Sequence, residues 1–113
     1  MLFLITSKPT EQMIESALED LDGYMKFDVD IERKIATIGG LRHFEGEELL
    51  LEDGSKQDDL WGGGIDWETK QIDYESMINI RPRLGNMGNE VMDENIRNKM
   101  KEIICKLLEI DVR

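Results

Sequence analysis

Cysteine, histidine, proline and aromatic residues are all scarce in this chain: one Cys, one His, two Pro and 6% aromatics among 113 residues. A lone cysteine cannot close an internal disulfide, so no covalent staple is expected. Cys105 and His43, far apart in sequence, are a poor zinc set, while the abundance of carboxylates leaves a magnesium site open. Long apolar runs are missing as well. No stretch approaches the roughly 18 apolar residues of a membrane span. The opening Met1–Ile5 is apolar but too short for a secretory h-region, which needs about 7–15 such residues behind a basic segment. These absences predict a soluble, cytoplasmic protein without membrane contact.

Positive charge is also in short supply: 14 basic against 25 acidic side chains, a net charge of -11. That sign repels phosphate backbones and disfavours nucleic acid as a partner. The distribution is uneven. Residues 1–75 hold 7 basic and 19 acidic side chains, whereas residues 76–106 hold 6 basic and 4 acidic. A local basic patch on the second segment could attract a small anion, although charge of one sign also simply keeps a small domain soluble.

What is present fits a single domain over 1–113, with 40% apolar residues and no repeat or linker. Met13, Ile14, Ala17, Leu18 and Leu21 give a helical stripe within about 8–22, capped by Ser7 or Thr10 and stopped by Gly23. Met25, Phe27, Val29 and Ile31 alternate with Lys26, Asp28 and Asp30, a strand whose aspartates face solvent. Ile35–Ile38 reads as the returning strand. His43–Asp53 reads as a short helix weakened by Gly46 and closed by Gly54, although Leu49–Leu51 reads equally well as a buried strand. A second hairpin is expected from Leu60–Trp67, interrupted by Gly62–Gly64, to Ile72–Arg81, with Pro82 stopping it. Asp93 caps a last amphipathic helix whose buried face is Ile96, Met100, Ile103, Ile104, Leu107 and Leu108. The fold class is therefore α+β: two hairpins in a largely antiparallel sheet, covered on one face by three helices.

Standard motifs fail one by one. No G-x-x-x-x-G-K-[ST] exists. Gly62–Gly64 open no helix, so the dinucleotide fingerprint is absent. Asp28-x-Asp30 begins like a calcium loop but has Arg33 and Gly39 where glycine and glutamate are required. Gly85-Asn-Met-Gly88 matches a four-residue RNA-binding pattern that carries little information.

Three strings are distinctive: Gly39-Gly-Leu-Arg-His43, Asp53-Gly-Ser-Lys-Gln-Asp-Asp-Leu-Trp-Gly62, and Ile78-Asn-Ile-Arg-Pro82 followed by Asn86 and Asn89. With them the chain resembles a family of small archaeal and bacterial proteins known as a domain of unknown function. The resemblance covers about 23–110 and is weakest over the first 22 residues. It implies no activity, substrate or cofactor.

The residues themselves suggest a site. The ends of the second hairpin would bring Lys56, Arg81 and Arg83 together, with Ser55, Gln57, Asn86 and Asn89 as neutral donors and Trp61 as a flat wall. Arginine forks match carboxylate or phosphate oxygens, so the ligand would be a small anion, nucleotide-like ligands included. The competing reading is that Arg81 and Arg83 pair with Asp58, Asp59 or Asp93. An enzyme reading makes His43 a general base, with Glu47 one turn away, Asp58 or Asp59 as a second acid and Arg81 holding substrate. Cys105, among apolar neighbours, reads as an inert buried thiol. Apolar residues on more than one side of the last helix, together with Met1–Ile5, suggest a homo-oligomer, a dimer by preference, acting as a structural or interaction protein without a small-molecule ligand; the competing reading is that they cover the two ends of one sheet.

Overall fold

The computed structural model describes residues 1–113. Five strands form one antiparallel sheet: β1 (Phe3–Ile5), β2 (Tyr24–Asp30), β3 (Ile35–Ile38), β4 (Leu60–Asp66) and β5 (Gln71–Asp73), in the spatial order β1-β3-β2-β4-β5. The helices are α1 (Glu11–Glu19), α2 (His43–Glu52) and α3 (Glu94–Leu108). The fold is α+β, as the sequence predicts. No helix is long and apolar enough to cross a membrane.

Helix boundaries follow local chemistry. Thr10, not Ser7, caps α1, its hydroxyl accepting the Met13 N–H at 3.1 Å. Asp93 caps α3, with Oδ1 accepting from Asn95 N at 2.8 Å. The β2–β3 turn closes because Asp30 Oδ1 accepts the N–H groups of Glu32 and Arg33, both at 2.9 Å, and Lys34 takes φ +58°.

Period-two alternation sorts β2 into two faces. Met25, Phe27 and Val29 join Ala36, Ile38, Trp61 and Ile65 in the main core, against Ala17 of α1 and Met100, Ile103, Ile104, Leu107 and Leu108 of α3. The opposite face carries Asp28, Thr37 and Gly62 and is covered by α2 and by a 3₁₀ turn at Met77–Asn79. A small second core of Ile35, Leu50 and Leu60 seals one end of that layer. The sheet is thus covered on both faces, not one. Asp28 and Asp30, expected in solvent, are therefore 2% and 0% exposed.

Gly62–Gly64 do not interrupt β4. They pair in register with Asp28, Phe27 and Lys26 of β2, and at 63 and 64 the missing side chains leave room for the Phe27 and Tyr24 rings. The return strand of the second hairpin ends at Asp73 instead of Arg81. Beyond it the chain forms an isolated bridge, Glu75 to Glu90, and short 3₁₀ turns at Met77–Asn79 and Pro82–Leu84. Asn79 makes this possible. Its fully buried carboxamide accepts the Gly62 N–H at 2.8 Å and donates to Gly62 C=O at 2.9 Å, doing for β4 what a neighbouring peptide would do. Met1–Ile5 is also used internally, since β1 within it pairs with β3.

Candidate functional site

The layer between α2 and the sheet is polar where an apolar core would be expected. Gly46 explains how α2 comes so close. A Cβ at 46 would collide with Asp28 Oδ2 and Thr37 Oγ1, so only glycine lets this helix lie on the β2–β3 hairpin. His43, one turn earlier, is thereby lowered onto Asp28. Its Nδ1 lies 2.7 Å from Asp28 Oδ1, and the two side chains are 8% and 4% exposed. Thr37 Oγ1 donates to the other carboxylate oxygen at 3.5 Å.

Burial pushes the Asp28 carboxyl above the ordinary carboxylate range, and the neighbouring Glu47 charge pushes the same way. The His43 hydrogen bond and charge, with the Thr37 hydroxyl, pull against that. The imidazole edge opposite Asp28 has no such support: Nε2 is buried with no hydrogen-bond partner. An unsatisfied buried polar nitrogen costs about 1–3 kcal/mol.

His43 forms part of the wall of a groove of about 490 Å³ between the start of α2 and the 75–78 segment. Leu41, Phe44, Met77 and Ile78 give it apolar lining, and Lys26, Arg42, Glu75, Ser76 and Asn89 give it polar lining. Leu41, Phe44 and Met77 are 58%, 51% and 79% exposed, large apolar surfaces left to solvent. The Ser76 hydroxyl accepts the Ile78 N–H at 3.2 Å and caps the short turn there, with no bond to the imidazole.

The loops singled out in the sequence do converge, but their cations meet acids. The buried Arg81 donates to Leu60 C=O and, at 3.1 Å, to Glu47 Oε2, with its guanidinium 5.0 Å from the Trp61 ring centre. Burial lowers its pKa, and Glu47 opposes that. Arg83 makes a two-pronged pair with Asp58 at the surface, holding that carboxyl below its usual range. Asn86 is buried and donates to the carbonyls of Asn79, Gly88 and Glu90. Ser55 is buried and accepts from Arg33 at 2.8 Å. Trp61 belongs to the core. Gln57 is exposed at the start of a 3₁₀ turn, and Lys56 lies in a shallow depression with Glu32, Arg33, Gly54 and Asp59. Asn89 alone of these reaches the His43 groove.

The partners of His43 also differ from those the sequence suggests. Glu47 turns to Arg81, Asp58 turns to Arg83, and the pKa of Asp59 is raised by burial and by Asp30 and Glu32. Asp28 was missed because strand alternation reads equally well as a solvated face. Gly46 in a helix and Gly62 directly opposite Asp28 are the signals of close backbone approach that mark the covered face. Cys105 is half-buried, and burial pushes its thiol up.

The three strings that carry the family resemblance meet around this layer: the first leads into His43, the second supplies Leu60 and Gly62, and the third supplies Asn79 and Arg81. Residues 3–107 match the family described as protein of unknown function, DUF5674, and the chain belongs to it. The match includes β1 and α1, the region over which the distinctive strings are absent. No curated protein and no solved structure matches the chain.

Proposed function

We propose that the chain is a small-molecule binding module whose working group is the His43 imidazole, with the ligand lying in the groove between α2 and residues 75–78. The observation that carries this reading is the asymmetry of the ring: Nδ1 is fixed on Asp28 at 2.7 Å while Nε2 is buried without a partner. Buried polar atoms are nearly always hydrogen-bonded, so an unpartnered ring nitrogen on a residue of the groove wall marks a place for a ligand's polar group. The groove volume falls within the range of about 300–1,000 Å³ usual for ligand sites, and its lining mixes apolar surface with a few polar groups.

The experiment is an NMR screen of small aromatic acids, amines and amides against the full chain. The expected result is that at least one of them shifts the amides of both 42–44 and 75–78, and that His43→Gln weakens its binding by about tenfold, the value of one well-placed hydrogen bond. A screen in which nothing perturbs both segments contradicts the reading.

Proton transfer at the same ring is a second reading, favoured by Asp28, since a carboxylate on Nδ1 is what orients an imidazole as a general base. It requires the ring to titrate in the complex. Ring nitrogen shifts that stay constant between about pH 5 and pH 9 remove it.

A further inference from the structure

The cations lining the groove, unlike most arginines of the chain, have no acidic partner. Of the six arginines, Arg33, Arg81, Arg83 and Arg97 all have a carboxylate within 4.0 Å. Arg42 has none, in a chain with almost twice as many acids as bases. Its backbone N–H is held by Glu45 Oε1 at 3.1 Å, which fixes the start of α2, while its guanidinium lies 5.9 Å from the Phe44 ring centre. Lys26, on the same face of β2 as Asp28, also lines the groove without an acidic partner, 6.0 Å from the Tyr24 ring centre. Glu75 is the single acid in the lining. A surface that is acidic overall therefore presents two unpaired cations beside Leu41, Phe44 and Met77, with the unsatisfied imidazole in the same wall.

We infer that the groove takes a small organic anion: a carboxylate or phosphate group held by Arg42 and Lys26, carried on an apolar body that covers Phe44, Leu41 and Met77. This rests on the His43 groove being the ligand site, and it moves the anion-binding role from Arg81 and Arg83 to cations that have no internal acid. Arginine suits the task because its planar fork matches two oxygens of one anionic group while its face stacks on an aromatic ring. The apolar body would cover side chains that are more than half exposed. A free inorganic ion would use only the cationic part of this surface, which is why an amphipathic ligand fits it better.

Four probes separate the possibilities in an NMR titration of the full chain: phenylacetate, phenyl phosphate, phenethylamine and acetate. Phenylacetate or phenyl phosphate should shift the amides of 41–44 and 75–78 saturably, and the tighter of the two identifies the headgroup. Phenethylamine, with the same body and opposite charge, and acetate, with the charge and no body, should each bind at least about tenfold more weakly. Arg42→Gln, at an exposed position, should weaken the aromatic anion by about tenfold or more with the rest of the spectrum unchanged, and Lys26→Gln should do so to a lesser degree.

Equal binding of phenethylamine, or no effect of Arg42→Gln, overturns the anionic class. If the amine binds here and moves the His43 ring, the site stands and only the ligand class falls. If the anions bind through Arg42 while the ring stays unmoved, the class stands and the role given to His43 falls. Shifts confined to the lysine-lined pocket at Lys8, Lys34 and Lys106 reject both.

Discussion

Asp28 is the residue on which the layer turns, because it is an acid taken out of water and only partly compensated. Its carboxyl holds a proton better in the folded chain than in the unfolded one, since burial outweighs the His43 bond. A group shifted upward contributes stability that is complete below the ordinary carboxylate range. That contribution is lost as pH rises through the folded value. Asp28→Asn removes the titration while keeping an oxygen for Nδ1–H and an amide for Thr37. The variant should therefore gain stability relative to the parent as pH rises from about 4 to about 7. Urea unfolding of both proteins across that interval measures it, and a constant difference would contradict the account.

Between elements, contact distance is set by glycines. Replacing a mid-helix glycine with alanine ordinarily stabilises by up to about 1 kcal/mol. Gly46→Ala should do the opposite and destabilise by about 1–3 kcal/mol, because the new methyl meets the oxygens of Asp28 and Thr37, which are both buried and hydrogen-bonded to each other. Urea unfolding gives the sign, and a stabilised variant would show that α2 does not bear on the hairpin at this point.

Elements with strong periodicity were legible in the sequence. The β2–β3 hairpin and α3 after Asp93 lie where alternation, a helical stripe and a cap place them, while α2, which has no such stripe, was marked by its early glutamates and the Gly54 stop alone. The segment after β5 was not. Its alternating residues satisfy a strand pattern, yet the ladder position beside Gly62 is occupied by the Asn79 side chain, a long-range substitution that no local pattern encodes. The site was half legible for the same reason. His43, Arg81 and Asn89 stood out by type, but which acid each would meet depends on how α2 and the 75–92 segment fold onto one sheet face.

Over the whole molecule, acidity and cation placement act together. A net charge of -11 leaves most arginines an acid to pair with, and four of the six do so. The exceptions are Arg42, beside the unsatisfied imidazole, and Arg113 at the C-terminus, whose backbone N–H and C=O bond to Lys70 and Ile72 beside β5. A cation unneutralised at a groove of an acidic surface is the feature that general solubility does not explain.

Because the chain has one histidine, its ring nitrogens give an unambiguous ¹⁵N spectrum. Recording that spectrum of the full chain, free and saturated with phenylacetate, shows whether the imidazole meets the ligand. Nδ1 should keep its proton throughout, with the ligand-induced shift concentrated at Nε2. Ring signals that do not move at saturation, or a free-state Nε2 already hydrogen-bonded within the protein, would contradict it.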